Sequence, residues 1–335
     1  MGIEEITALS ELLISNEKNI LILILNKNSI SLQGIQMLLS ALEKNKTIEK
    51  LEISNNNIGD EGVGVLENGL INNQKLKILS IPGNNISDKG AIKLVHLLAI
   101  NKKLKSLDLS NNKIKSDGVH YLAEGLKKNK SLKALAFSNN KIGKKGMKNL
   151  KKVFVNGCAL EAISLANNNI GNQGLNHIAA LVKNNTTIKV LDLSRNNISD
   201  DGIAEIIRGN KSITNLSILG NPIRNQGVQK IVEALTANTT LALLSLPENT
   251  IDAKLKRIIK NKVKKNKQNA EALIEAAKEG NLELVETLIA QGASLNYRDD
   301  KNNTALHYAA MSGHETVTHY LKHHYSQLLF KKQQS

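Results

Sequence analysis

The side chains best able to do chemistry are histidines near the C-terminal end of the chain and one cysteine. The stretch HETVTH, at 314–319, has one residue too many for the zinc motif H-E-x-x-H, whose histidines need i, i+4 spacing to share a helix face. His319 and His323 have that spacing, but they lack the carboxylate or cysteine partner that a metal site ordinarily adds. The sequence places no base beside Cys158, so we expect a small structural residue there.

Other catalytic patterns are absent from the sequence. It contains neither the phosphate-cradling pattern G-x-x-x-x-G-K-[ST] nor the nucleophile pattern G-x-S-x-G. We therefore expect no catalytic, cofactor-binding or metal-binding residue, no small-molecule substrate and no enzymatic activity. A single cysteine fits a reducing compartment, and the N-terminal stretch MGIEEITALS is acidic where a secretory signal would be basic, which predicts a cytoplasmic protein.

An internal repeat determines which helices and strands carry the functional residues. The phrase LDLSNNKIKSDG, at 107–118, returns as LDLSRNNISDDG at 191–202. Successive copies are 28 residues apart, apart from one interval of 25, and such a period identifies a stacked repeat architecture. An isoleucine follows the fixed asparagine by two places in each copy. The nine asparagines are Asn28, Asn56, Asn84, Asn112, Asn140, Asn168, Asn196, Asn221 and Asn249.

Each copy predicts one strand and one helix. Leu107 and Leu109 alternate as in a strand with one buried face, and Gly118, Leu122 and Leu126 then follow at helical spacing. One such unit is too small to bury its own apolar face, so the units must stack. We expect the asparagines to bond the backbone of the turn that leaves each strand and to form an internal ladder.

The pattern L-x-x-L-x-L-x-x-N-x-I resembles the leucine-rich repeat family, in its ribonuclease-inhibitor-like form, over residues 19–260. The resemblance implies an α/β solenoid of about nine strand–helix units. Because strands stack about 4.8 Å apart and helices need about 8–10 Å, we expect a horseshoe with a parallel sheet on its concave side. Residues 1–18 are predicted to form a capping helix. The 25-residue unit lacks about one helical turn, which predicts a dent near Arg208.

A different repeat comes next along the chain. The stretches AAKEGNLELVETLIAQG and AAMSGHETVTHYLKHH align at a 33-residue offset, and NNTALHYAA resembles the ankyrin phrase T-P-L-H-x-A-A. The resemblance implies a short all-α ankyrin pair over 270–335, with Asn302 in place of the turn glycine. Two ankyrin units are fewer than the three or so that stand alone, so we expect them to lean on the end of the solenoid through a helical bridge at 253–268. Residues 261–269 are predicted to be a basic linker.

Positive charge is concentrated in two stretches. The net charge is +15; residues 127–152 hold ten lysines and residues 253–269 hold seven lysines and one arginine, and neither stretch contains an acidic residue. This favours an acidic protein partner, anionic lipid or RNA, while the alternative is that the lysines only keep a long solenoid soluble. The absence of interleaved aromatic residues argues against single-stranded nucleic acid. Residues 253–269 also resemble a nuclear-localisation patch, for an import receptor, or a basic amphipathic helix for an anionic membrane surface.

We predict partner contacts at the strands, in the basic repeat unit and on the helical bridge. The predicted residues are Lys77, Lys105, Lys133, Lys189, Asp108 and Asp192 on the strands, Lys144, Lys145, Lys148 and Lys151 in the basic unit, and Arg257, Lys264 and Lys265 on the bridge.

The resulting functional hypothesis is a non-enzymatic protein-interaction scaffold built from two kinds of repeat. The alternative is a regulator of a small GTPase, because Ran GTPase-activating proteins resemble this repeat type, although the acidic tail typical of that family is absent. Abundant Lys, Asn and Ile with rare Arg indicate AT-rich codons. Together with the two repeat types, this composition resembles effectors of intracellular bacteria such as Legionella, which implies protein partners in the host cytosol, with the nucleus as the alternative location. An AT-rich protist is the alternative source.

Overall fold

The computed structural model describes residues 1–155, 159–247 and 251–330. Short strands alternate with helices along most of this chain, and four consecutive helices without strands end it. Cys158 and Asn249 lie outside the described residues. No helix in the described ranges is both long enough and apolar enough to cross a membrane.

The strands confirm the two-residue alternation. Each has three residues, with a buried centre between two more exposed neighbours. The strands are β1 (Ile22–Ile24), β2 (Lys50–Glu52), β3 (Ile78–Ser80), β4 (Ser106–Asp108), β5 (Ala134–Ala136), β6 (Ala162–Ser164), β7 (Val190–Asp192), β8 (Asn215–Ser217) and β9 (Leu243–Ser245).

A helix precedes the first strand and another follows each strand. Their apolar faces confirm the predicted helical spacing. The helices are α1 (Ile3–Ser15), α2 (Leu32–Lys44), α3 (Gly59–Leu70), α4 (Asp88–Ile100), α5 (Ser116–Lys128), α6 (Gly143–Val155), α7 (Gly171–Asn184), α8 (Asp200–Gly209), α9 (Asn225–Ala237), α10 (Ala253–Glu279), α11 (Leu282–Ala290), α12 (Ala305–Met311) and α13 (Glu315–Phe330).

The chain divides into two compact units. One comprises Met1–Leu181 with Val190–Ile198, and the other comprises Val182–Lys189 with Ser199–Ser335. In the first unit, β1 to β7 pair in parallel and in chain order, and equivalent residues of successive repeats are partners. In the second unit, β8 and β9 pair in the same way.

Repeated leucines and isoleucines form the core. Leu51, Leu79 and Leu107 are register partners in successive strands, and each is buried. In the helix of the same repeat as Leu107, Val119 and Leu122 are also buried. Fully burying a side chain of this size stabilises the fold by about 1.5–3 kcal/mol, so the repetition of the pattern supplies the stability that a single unit lacks.

The predicted asparagine ladder is present, and it also joins neighbouring repeats. The Asn112 amide nitrogen donates to the carbonyl oxygens of Leu109, in its own repeat, at 2.9 Å and of Ile81, in the preceding one, at 3.2 Å. Its carbonyl oxygen accepts the backbone N–H groups of Asn84 at 2.9 Å and Ile86 at 3.1 Å. The buried members are Asn56, Asn84, Asn112, Asn140, Asn168, Asn196 and Asn221.

A second asparagine ladder, not among the features predicted from the sequence, ends the helices. The carbonyl oxygen of Asn101 accepts the backbone N–H groups of Lys103 and Leu104 at 2.8 and 2.9 Å, and its amide nitrogen donates to the Leu70 carbonyl oxygen of the preceding repeat at 2.9 Å. These asparagines therefore cap one helix and bind it to its neighbour. The buried members that follow a helix are Asn45, Asn73, Asn101, Asn129, Asn185, Asn210 and Asn238.

The second ladder continues at Asn266, but the helix there does not end. The Asn266 amide nitrogen donates to the carbonyl oxygens of Asn238 and Leu241, both at 3.0 Å, although the residue lies within α10. The stretch 261–269 is thus the middle of one continuous helix rather than a linker. Val263 and Ala270 are buried on either side of Asn266, which keeps the apolar face of the helix unbroken.

The last helices pair as ankyrin units do. Thr304 caps α12 by accepting the backbone N–H of His307, and Asn302 has the left-handed φ of 64° predicted for the turn position. His314 begins the stretch HETVTH. Its Nε2 atom lies 2.8 Å from the Lys278 carbonyl oxygen, so it joins α10 to the second helix pair, α12 and α13. The core around these helices includes Leu273, Val285, Leu288, Ala309 and Leu321.

The short repeat has a short helix. Helix α8 has 10 residues where α9 has 13, and a cleft of about 460 Å³ lies beside Arg208. The ankyrin turn forms the other wall of this cleft: the Asn296 amide nitrogen donates to the Lys211 carbonyl oxygen at 3.3 Å. The ankyrin pair therefore contacts the last leucine-rich repeats, as expected of a pair too small to stand alone.

Candidate interaction surfaces

Two of the four lysines predicted at the leading edge of the strands are paired with glutamates one repeat away. The Nζ atom of Lys77 lies 2.6 Å from a carboxylate oxygen of Glu49, and that of Lys133 lies 2.8 Å from one of Glu161. Lys105, between them, is exposed and has no ion-pair partner among the described residues. Of the predicted lysines, Lys77 and Lys133 are thus neutralised, and Lys105 has no ion-pair partner among the described residues.

The two predicted aspartates support the turns that follow their strands. Asp108 accepts the backbone N–H of Ser110 at 2.8 Å, and Asp192 accepts that of Ser194 at 3.0 Å. The second oxygen of Asp192 also accepts the Ser164 hydroxyl of the preceding repeat at 3.2 Å. Since these oxygens already have local donors, a partner would have to compete with the turn for them.

The rest of the open strand face offers little positive charge. Lys189, which belongs to the second unit, is half-buried, and its Nζ atom lies 3.5 Å from the Thr186 carbonyl oxygen. The large exposed apolar side chains on the described strands are Ile22 and Ile24 on β1, Ile78 on β3, Val190 on β7 and Leu243 on β9.

The helix of the basic repeat unit presents its lysines to solvent. Lys145 and Lys148 are exposed, and so is Lys144, whose Nζ donates to the side chain of Gln173 at 2.6 Å; Lys151 is half-buried. Neither α6 nor the following helix α7 contains an acidic residue. We call these four lysines the basic face of α6.

The lysines of this face affect the pKa of one histidine. His177, on α7, is half-buried, and its burial together with the positive charges of Lys151 and Lys148 lowers its pKa. Burial disfavours the protonated imidazole most, and the like charges of the two lysines disfavour it further. The basic face is therefore an electrostatically coupled surface that spans two neighbouring repeats.

The predicted residues on the helical bridge are also exposed. Arg257, Lys264 and Lys265 lie on the solvent side of α10, whereas Ile259 and Val263 are buried on the other side. Among the described residues, none of the three cations has an ion-pair partner. Because the apolar side of this helix packs into the protein, that side is not available to enter a membrane.

Ile258 does not share the buried side of α10 with Ile259 and Val263. Ile258 is 41% exposed, because it precedes Ile259 by one residue and so lies about 100° away around the helix. It lines an apolar groove of about 310 Å³ between α9 and α10, together with Val232. Helical spacing alone could not reveal this groove, since the position of α9 decides which side of Ile258 is covered.

The histidines hold no metal-type cluster. In the described part of the chain there is no group of three or more His, Cys, Asp or Glu side chains placed to hold a metal ion. His319 and His323 line an open groove on the ankyrin pair with Glu315 and Leu282.

Comparisons with known protein families match both repeats. The family described as leucine-rich repeat matches five stretches, and the family described as ankyrin repeats (3 copies) matches residues 243–331. The chain carries leucine-rich repeats followed by ankyrin repeats. The five leucine-rich stretches are 44–66, 72–95, 101–123, 128–151 and 184–206.

Two solved structures also align with the leucine-rich and ankyrin repeat protein. A leucine-rich repeat-containing protein of Legionella pneumophila, LegL7, is 16% identical with a TM-score of 0.47, over 76% of this chain and 93% of that one. The actin-binding site 2 of leiomodin-1 is 15% identical with a TM-score of 0.26, over 84% of this chain and 95% of that one. No curated protein matches the sequence. Leucine-rich and ankyrin repeats are typically interaction modules rather than enzymes.

Proposed function

We propose that this protein is a non-enzymatic scaffold that binds a protein partner through its repeat surfaces, and that the partner surface is acidic. The observation that carries the proposal is the basic face of α6, where exposed lysines lie beside a neighbouring helix and neither helix has an acidic residue. Cationic surfaces of this kind attract and orient acidic partners.

The distribution of charge favours binding over solubility alone. A surface that only had to stay soluble would work best with both signs interspersed. Here ten lysines are concentrated in 127–152, and repulsion by two of them, Lys151 and Lys148, adds to burial in lowering the pKa of His177. An acidic partner would relieve that repulsion, and the relief would contribute to affinity.

The test is recovery of partners from a eukaryotic lysate by the tagged wild-type chain and by a charge-reversed variant. The variant carries Lys144→Glu, Lys145→Glu, Lys148→Glu and Lys151→Glu. We expect it to lose acidic partners that the wild type recovers. A matched control reverses four exposed lysines outside the two basic stretches: Lys44, Lys46, Lys75 and Lys103. Equal recovery by all three proteins would remove the basic face from the function.

We further propose that the protein acts in the cytosol of a eukaryotic host as a bacterial effector. Its support is the AT-rich composition and the combination of two repeat types. Fractionation of cells that express the tagged chain checks the location, with nuclear accumulation pointing to the basic stretch 253–269 instead. The alternative function, regulation of a small GTPase, rests on repeat type alone, and unchanged phosphate release from an added GTPase would exclude that GTPase as a target.

A further inference from the structure

The groove between α9 and α10 combines an apolar recess with a cationic rim. Leu235 and Ile259 are buried at its base, while Val232 and Ile258 line its sides. Its volume of about 310 Å³ is at the lower end of the range of about 300–1,000 Å³ found for ligand pockets. A recess of this size accepts one or two large apolar side chains.

The rim of the groove is positively charged on the α10 side. Lys262 lines the groove, and Lys265 lies one helical turn further along, where α10 carries no acidic residue before Glu271. In the described part of the chain neither lysine has an ion-pair partner. On the α9 side the helix contributes one exposed carboxylate, Glu233, which is not part of the groove lining.

We infer that this groove binds an acidic segment of a partner protein through one large apolar side chain, flanked by carboxylates that pair with Lys262 and Lys265. The inference rests on the proposed function and assigns it a second site, distinct from the basic face of α6. Burial of the apolar side chain supplies affinity, and charge complementarity sets the orientation of the segment and speeds association.

A protein segment fits this groove better than a membrane does. The recess is concave, and a bilayer surface is broad and cannot follow a groove between two helices. Membrane-surface helices bury their own apolar face in the lipid, whereas the apolar face of α10 is already buried against this protein, with Ile259 2% exposed. Ile258 remains accessible at this point, and it lines the recess rather than an open plane.

The experiment measures binding of a fluorescent helical peptide built from glutamate and leucine, with its leucines three and four residues apart so that they share one face. We expect saturable binding to the full-length chain. Ile258→Ser should weaken it about tenfold, the loss expected from one good apolar contact. Lys262→Gln should weaken it several-fold and reduce its dependence on salt. Ile92→Ser is the matched control, because Ile92, on α4, is 43% exposed, and it should change nothing.

Three outcomes of the binding measurements would overturn the inference. The first is absence of peptide binding; the second is equal binding of a peptide in which every leucine is replaced by serine, which would mean attraction by charge alone. In the third, the protein binds phosphatidylserine vesicles but not the peptide, and Lys262→Gln weakens the vesicle binding. Since Ile258 is on the surface, an unchanged unfolding midpoint verifies that its variant is folded. If lysate partners are recovered equally by wild type and Ile258→Ser, the groove fails while the scaffold function stands.

Discussion

Asparagine serves this fold in two backbone environments. The ladder members are buried and satisfy backbone groups of two repeats, whereas asparagines beside them take up left-handed conformations in the turns. Asn111, Asn139 and Asn167 occupy one repeat position with φ of 56°, 57° and 53°, and Arg195 occupies the same position with φ of 55°. Asparagine tolerates this region far better than other residues with a side chain do, which explains the runs of asparagine in the sequence.

Arg195→Asn should therefore stabilise the protein. The substitution relieves left-handed strain at an exposed side chain, so we expect a gain of about 0.5–1 kcal/mol in the free energy of unfolding. The measurement is the urea midpoint. Lys103→Asn changes an exposed lysine outside the left-handed region and serves as the control. A midpoint that moves equally for both substitutions would contradict this account of the turn.

His177 should report the basic face of α6 through its titration. Its pKa in the folded protein is below the value of about 6.5 in an unfolded chain, because of burial and then the charges of Lys151 and Lys148. Between the two pKa values the unfolded chain binds more protons, so this contribution to stability is complete above the unfolded pKa and is lost as pH falls through the folded one. Lys148→Gln with Lys151→Gln should raise the folded pKa in an NMR titration of the imidazole, and Lys46→Gln should leave it unchanged. A pKa indifferent to the double substitution would assign the shift to burial alone.

The sequence predicts those contacts of the site that join residues one repeat, or 28 positions, apart. It does not predict the contacts that depend on local turn geometry. Glu49 precedes Lys77 by 28 residues, as Lys133 precedes Glu161, so both ion pairs follow from the register and could have been predicted. Exposure of the α6 lysines follows from helical spacing in the same way. The local donors to Asp108 do not, because they depend on the turn geometry that comes after the strand.

At the scale of elements, the repeat period predicts one feature of α10, the position of Asn266, but not where the helix ends. The period places Asn266 at 28 residues after Asn238, where it continues the second ladder, and so defines the end of the leucine-rich register. The end of the helix, however, is decided by residues further along the chain. No glycine or proline stops the helix before Gly280, whose φ of 72° ends it. One helix therefore belongs to both repeat types, and the sequence boundary between them falls inside it.

The contact between the ankyrin turn and the last repeats should be measurable through Gly292. A Cβ atom added there would lie 2.8 Å from Cγ2 of Thr239, and the φ of 85° adds strain, so Gly292→Ala should destabilise the protein by about 2 kcal/mol. Gly313→Ala is a matched control with a φ of 74° but no atom within 4 Å of the added Cβ, and it should cost only the strain of about 1 kcal/mol.

Hydrogen exchange locates the effect. We expect Gly292→Ala to raise exchange both in α11 and at the C-terminal end of α9, which the loop with Thr239 follows, because the clash opens the contact from both sides. Thr239→Ala in the Gly292→Ala background should restore part of the loss. If the two glycine variants are equally destabilised and exchange rises only in the ankyrin helices, the turn is not a docking contact.

At the scale of the whole molecule, the fold and the charge were predictable for different reasons. The stacked solenoid follows from a period that nine asparagines mark, and the structure confirms its strands, helices and parallel order. The concentration of charge is visible in the composition of two stretches, but whether that charge is free depends on partners up to a repeat away. Two leading-edge lysines are neutralised, while most of the predicted cations on α6 and α10 are not.

The unpaired charge should make stability rise with salt. A net charge of +15 destabilises the compact state through self-repulsion, and like charges three or four residues apart on α6 add about 1 kcal/mol in total. Raising sodium chloride from about 0.1 to about 1 M shortens the Debye length from about 10 Å to about 3 Å and screens this repulsion, so the melting temperature should increase. Chloride is preferred to sulfate, which strengthens apolar burial by itself.

Replacing Lys144, Lys145, Lys148 and Lys151 with glutamine should raise the melting temperature at low salt and flatten its salt dependence. A variant that is less stable at low salt would mean that these lysines stabilise the fold, and their retention would then need no partner to explain it.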